Sequence, residues 1–246
     1  MKISLQLWSI QDAVKEDLLA TLKQVKRFGY DGVEFAGYFD HSAEDIKMCL
    51  DELGLEVSGT HYPIEQLEEH FEEVLLFEET IGNHNLIVPY LDGHTVEEWG
   101  NYAKRMARIQ EKLVGTPFRL GYHNHAHEFD VTPHAFDILL EKVPTLALEV
   151  DTFWVAYAKY PVIAFLDQYQ KNINWLHIKD MQEEPIESTE ISSGVLPIKT
   201  YLKWAKQHEM EWLIIEQEAF QRYVPLESAQ KNYRALEILR IESEGN

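Results

Sequence analysis

The chain has 246 residues, 45% of them apolar and 12% aromatic, which is material for a large core within one domain spanning 1–246. Its net charge of −20, from 42 acidic against 22 basic residues, argues against nucleic acid, whose binding needs Lys and Arg to neutralise phosphates. No apolar run nears the roughly 20 residues of a membrane span, the start Met1–Trp8 turns polar too early for a secretory signal, and the lone Cys49 permits no internal disulfide, so a cytoplasmic protein acting on a neutral small molecule or a cation is expected.

In chain order, the sequence alternates short apolar runs with amphipathic stretches. Ile3–Trp8 comes first, then a stripe of Leu18, Leu19, Leu22, Val25 and Phe28 at helical spacing, closed by Gly29. Gly32–Ala36 follows, and Ser42–Asp45 reads as a capping box opening the next helix. After Leu55–His61 and Asn85–Tyr90, a second box at Thr95–Glu98 opens a stripe of Trp99, Tyr102, Met106, Ile109 and Leu113, ended by Gly115. The runs Phe118–His123, Leu146–Asp151, Trp175–Lys179 and Trp212–Gln217 complete the set, and Leu226, Ala229, Tyr233, Leu236 and Leu239 mark a last helix. Each run reads as a strand buried on both faces, as in a parallel sheet covered by helices.

Eight such strands at roughly 30-residue spacing give the unit count of a single (β/α)8 TIM barrel, an α/β fold. The rival open sheet is expected to carry a glycine-rich loop after its first strand, and Ser9-Ile10-Gln11-Asp12 stands there instead.

A barrel of this kind works at the C-terminal ends of its strands, where this chain places Gln6, Trp8, Glu34, His61, Tyr90, His123, Asn124, His125, Asp151, His177, Lys179, Asp180, Glu216 and Glu218. Strand alternation sorts them. With Leu176 and Ile178 facing the helices, His177 and Lys179 face the axis; with Leu213 and Ile215 outward, Glu216 turns in; Glu149 and Asp151 share the inner face, and small Gly121 leaves room beneath His123. His123, Asp151, His177 and Glu216 thus form an inward set from four consecutive strands. Clustered carboxylates need a cation or protons to neutralise them. Mixed imidazole and carboxylate donors suit one divalent ion, Mn, Zn or Co first, with Fe or Mg also admitted.

The chain resembles the xylose-isomerase-like TIM-barrel superfamily of sugar phosphate isomerases and epimerases over essentially its whole length. The resemblance is carried by Leu5–Ile10, Gly29–Glu34, Gly54–His61, Tyr122–Phe129, Glu149–Trp154, Leu176–Met181 and Ile215–Glu218. It implies metal ligands from strands five to eight in the order Glu, Asp, His, Glu, which Asp151, His177 and Glu216 match. At strand five the pattern departs: His123 stands there, with Glu128 a few residues on, and either can be the fourth ligand. The His-Asn-His form of residues 123–125 is similar to a subgroup with inosose-dehydratase-like members.

The activity so implied is a metal-dependent isomerase or epimerase working on a small sugar or keto-polyol through an enediolate-type intermediate. The alternatives are a dehydratase of the inosose type and a non-catalytic sugar-binding barrel; an apurinic endonuclease is disfavoured by the acidic charge. Glu216 or His125 is expected to remove the proton α to the carbonyl. Trp8, Tyr90 and Trp154 are expected to stack on the sugar, and His61, Asn124 and Lys179 to contact its oxygens. Glu149, Glu128 and Asp180 are expected to support these groups from behind, with pairing to Lys179 an alternative for Asp180. The absence of a phosphate loop disfavours a phosphorylated substrate. The segment Asp180–Ser193 is expected to cover the mouth; barrels of this kind often dimerise, and the sequence leaves monomer and homodimer both open.

Overall fold

The computed structural model describes residues 1–244. Eight parallel strands close into a barrel: β1 (Lys2–Gln6), β2 (Gly32–Phe35), β3 (Glu56–His61), β4 (Asn85–Val88), β5 (Arg119–His123), β6 (Ala147–Asp151), β7 (Ile173–Ile178) and β10 (Trp212–Ile215). Pairing of β10 with β1, Trp212 opposite Lys2 and Ile215 opposite Leu5, completes the ring. Each expected apolar run is a barrel strand.

The differences at strand ends have local causes. β1 stops at Gln6 rather than Trp8 because Gln6 Oε1 accepts the Trp8 N–H at 2.9 Å and turns the chain into a short 3-10 helix, Leu7–Ile10. β4 stops at Val88, before Pro89, which has no N–H to give a ladder.

Helices cover the outside. Ser42 and Thr95 cap theirs as expected, each accepting a backbone N–H three residues on, and Gly29 ends the helix Leu18–Phe28 at φ +114°, open to glycine without strain. Outward residues of the strands join these helices in the core, Leu176, Ile178, Leu213 and Ile215 among them.

Inside, Ile87, Ala147, Trp175, Trp212 and Ile214 fill the lower barrel. Their bulk needs glycine opposite: a Cβ on Gly32 would stand 2.7 Å from the Trp212 ring, and one on Gly121 would stand 3.0 Å from Trp175 and 3.1 Å from Ile87. The plug fills the bottom, so the polar inward residues stack above it toward the C-terminal mouth.

An antiparallel hairpin, β8 (Asp180–Glu183) and β9 (Ile186–Thr189), follows β7. It corrects the expectation that Asp180–Ser193 covers the mouth. The hairpin instead docks on the exit of β10 and on the last helix, Pro225–Glu244. Ser188 Oγ accepts the N–H groups of Glu218 and Ala219, and Glu190 Oε1 accepts Ser228 Oγ–H at 2.6 Å. Among the described residues no helix is long and apolar enough to cross a membrane.

Candidate metal centre and pocket

The ligating atoms of His123, Asp151, His177 and Glu216 lie within 4.8 Å of one another, and all four residues are buried. Backbone contacts at the strand ends hold them there. Asp151 is the N-cap of the helix Thr152–Tyr157; its Oδ1 accepts the N–H groups of Phe153 and Trp154, which leaves Oδ2 turned toward the cluster. Asn124 Oδ1 takes the Asp151 N–H at 2.9 Å, and Thr152 Oγ1 donates to the His177 carbonyl at 3.0 Å, so the ends of β5, β6 and β7 are tied together. Beyond β10, Gln217 N–H donates to Ser9 Oγ and fixes the turn next to Glu216.

The donor set fits a divalent ion. Ligands held about 2.1 Å from a tetrahedral ion stand roughly 3.4 Å apart. Here His177 Nδ1 is 3.0 Å from Glu216 Oε2, and His123 Nε2 is 3.8 Å from Asp151 Oδ2. His177 Nε2 meets Glu34 Oε2 at 2.8 Å on its other side, the carboxylate–imidazole arrangement that orients a metal-binding histidine. Asp151 Oδ2, turned toward the other donors, is a buried carboxylate oxygen that needs a cation beside it.

A second group sits behind the first. Glu149 Oε2 meets His61 Nε2 at 2.7 Å, His123 Nδ1 at 3.2 Å and His177 Nε2 at 3.2 Å, while Glu34 accepts Gln6 Nε2–H at 2.7 Å. His61, His123, Glu149 and His177 form a second group of donors within 4.8 Å of one another, with Glu149 touching all three histidines. Burial opposes a charge on His61, but Glu34 and Glu149 prevail and raise its pKa to about 10. With no opposing carboxylate of that strength, burial and the neighbouring His177 hold His123 well below the usual imidazole range.

Lys179 lies among the acids, its Nζ 2.8 Å from both Asp151 Oδ2 and Glu216 Oε2 and 3.3 Å from Glu218 Oε2. Burial disfavours its charge; the three carboxylates overcome this and raise its pKa. Glu216 is held low against burial by Lys179 and His177, whereas burial carries Glu218 up to about 6 despite Lys179. Burial, then Lys179, pushes His125 down to about 3.

Above the cluster opens a cavity of about 400 Å³. Trp8, Ala36, Pro63, Pro89 and Tyr90 form one wall, with His61 among them, while His123, His125, Glu216 and Glu218 form the other. Trp154 stacks at an angle on His125, ring centroids 5.4 Å apart, behind that second wall.

Asn124, Glu128 and Asp180 each hold backbone N–H groups beside the cluster. Asn124 serves the Asp151 backbone as described. Glu128 is outside the four-residue group: its Oε1 accepts Tyr122 Oη–H at 2.6 Å and His125 N–H at 3.0 Å, ordering the loop after β5, so the structure brings His123 and not Glu128 to the cluster. Asp180 does not pair with Lys179; it accepts the N–H groups of Met181, Ser192, Gly194 and Leu196 and ties down the segment after the hairpin. Glu34 and Glu218 stand at strand ends in the sequence without a role being assignable there. Only barrel closure brings Glu34, on β2, against His177 on β7.

Residues 22–240 match the family model described as a xylose isomerase-like TIM barrel. The chain belongs to that family. Among solved structures, a sugar phosphate isomerase/epimerase from Parabacteroides distasonis superposes on this xylose isomerase-like barrel with a TM-score of 0.82 at 18% identity, covering 98% of this chain and 95% of the other. An L-ribulose 3-epimerase gives 0.79 at 12% identity, covering 99% and 96%. The probable 3-DHS dehydratase AsbF of petrobactin synthesis from Bacillus anthracis gives 0.78 at 14%, covering 96% and 99%. At such identities the likeness is one of fold. No curated protein matches the chain.

Proposed function

We propose that this barrel is a divalent-metal-dependent isomerase or epimerase of a small, uncharged sugar or keto-polyol. The observation that carries the reading is the convergence of His123, Asp151, His177 and Glu216, donors within 4.8 Å of one another, with His123 and Glu216 lining a cavity of about 400 Å³. The similarity in fold to an L-ribulose 3-epimerase and a sugar phosphate isomerase/epimerase supports it. Among the described residues no arginine or lysine lines the cavity, which favours a substrate without phosphate.

When bound, Mn, Zn or Co at this set supplies Lewis-acid polarisation of a substrate carbonyl or hydroxyl. The protein's own groups move the proton. Glu216, kept ionised by Lys179 and His177, and His125, a neutral imidazole, face the same cavity and are assigned proton removal α to the carbonyl and its return. Glu218, near 6, exchanges protons with water around neutrality. Trp8 and Tyr90 offer ring faces to the apolar side of a sugar, and His61 offers a hydrogen bond to a hydroxyl.

A dehydratase is the second reading, supported by His123 standing where an exchange between two carboxylates would need a second acid. Glu218, at the wall of the same cavity, is placed to pass a proton to a departing hydroxyl. The fold likeness to a probable dehydratase is consistent with it.

Metal content of protein purified without chelator, set beside an Asp151→Asn/His177→Ala double variant, tests the common basis. About one Mn, Zn or Co per wild-type chain, absent from the variant, is expected. A wild type that neither holds nor takes up metal would leave a metal-free sugar-binding barrel. Incubation with ketoses and inososes then separates the two reactions, since an isomerase gives a product of unchanged mass and a dehydratase one lighter by a water.

A further inference from the structure

We propose that Lys179 is a resident cation of the centre, and that a divalent ion enters by displacing its ammonium from Asp151 and Glu216 toward Glu218. The inference rests on the metal reading above and adds to it a competition inside the site.

Three observations carry it. The two carboxylate oxygens nearest Nζ, Asp151 Oδ2 and Glu216 Oε2, each at 2.8 Å, belong to the same two residues that complete the four-donor group. An ion about 2.1 Å from both oxygens would stand within about 5 Å of Nζ, and two cations that close in a buried site repel strongly. Although Nζ touches these oxygens as an ion, it makes no directed hydrogen bond to any partner, and Asp151 Oδ2 likewise has none. An ammonium prefers three donors aimed at acceptors, and here close charge contact with the two carboxylates holds Nζ in place.

The ammonium also has a place to go. Glu218 Oε2 lies 3.3 Å away, with its side chain 32% exposed at the cavity wall, and the Trp154 ring lies 5.6 Å from Nζ. The flexible four-carbon stem of lysine lets Nζ move outward while its backbone stays at the end of β7. In the metal-free protein Lys179 would then keep Asp151 and Glu216 from standing unpaired in the interior, where uncompensated charge is costly. In the loaded protein it would stand beside the substrate.

The experiment is titration of the purified, chelator-stripped proteins with Mn²⁺ and Zn²⁺ against a chromogenic chelator, read beside the rise in Tm that each ion causes. Lys179→Met and Lys179→Gln are expected to bind Mn²⁺ roughly tenfold tighter than wild type or more and to show a larger Tm rise. Glu218→Gln, which keeps Lys179 but removes its refuge, is expected to bind several-fold more weakly, roughly threefold. Should Lys179→Met fail to fold without metal, Lys179→Gln and Glu218→Gln still decide. Binding as weak as wild type or weaker in the lysine variants, while wild type takes up metal, overturns the displacement and leaves the proposed function standing. No uptake by any of the proteins overturns both.

Discussion

Replacing Glu216 by Gln removes a pocket-facing acceptor without changing its size, and His125→Ala removes a pocket-facing imidazole that packs edge-on against Tyr90. Each is expected to lower kcat/KM by about 10²–10⁴, the usual weight of a positioned acid or base, while far-ultraviolet circular dichroism stays unchanged. Full turnover in both variants would remove these residues from the mechanism. At this scale the sequence discloses side chains through what their neighbours must do. Apolar Leu176, Ile178, Leu213 and Ile215 can face only the helices, so His177, Lys179 and Glu216 are legible as inward. Asn124 and Asp180 are not legible in the same way, because each is claimed by backbone N–H groups at a strand exit. Alternation counts side chains and does not count unpaired donors.

The hairpin of β8 and β9 shows where element prediction stops. Its strands are polar and mostly exposed at one end, with Glu183 and Ile186 at the turn, so no apolar run marks them. Two buried carboxylates hold the segment. Asp180→Ala leaves the N–H groups of Ser192, Gly194 and Leu196 without their acceptor and should cost about 2–4 kcal/mol in denaturant unfolding. Glu190 gives a pH dependence. Burial pushes its pKa up, but the hydrogen bonds from Ser228 and Gln217 outweigh this and leave it lowered. A lowered folded pKa contributes stability above the unfolded value, near 4.3, that is lost as pH falls through the folded one. In melts of wild type against Glu190→Gln, the wild-type advantage at pH 7 should therefore shrink on going to about pH 3.5; a constant gap would show that Glu190 keeps its proton state.

For the whole molecule, barrel closure was legible from rhythm: eight runs, each buried on both sides, have few other ways to satisfy every edge. Contacts across the ring were not, since Glu34 meeting His177 joins residues 143 apart in the chain. The tightness of the closed ring is measurable at Gly32, where a Cβ would meet the Glu56 carbonyl oxygen at 2.7 Å as well as Trp212. Because that oxygen is backbone and the ring is packed in the interior plug, Gly32→Ala should cost about 1–3 kcal/mol. For a chain of this size, Tm should fall about 2–4 °C for each kcal/mol. An unchanged melting temperature would mean that the plug yields more readily than its packing implies.

The two walls of the cavity come from different halves of the chain. Trp8, Ala36, Pro63, Pro89 and Tyr90 follow β1 to β4, while His123, His125, Glu216 and Glu218 follow β5 and β10. On the proposed reading, the first half would shape what enters, and the second half would carry the groups assigned to proton transfer. Loops after β1 to β4 can be lengthened, shortened or exchanged between relatives with the ionisable groups of the second half kept in place. Such a chain is open to inheriting a new substrate by changes in its first hundred or so residues while keeping an old chemistry in the rest.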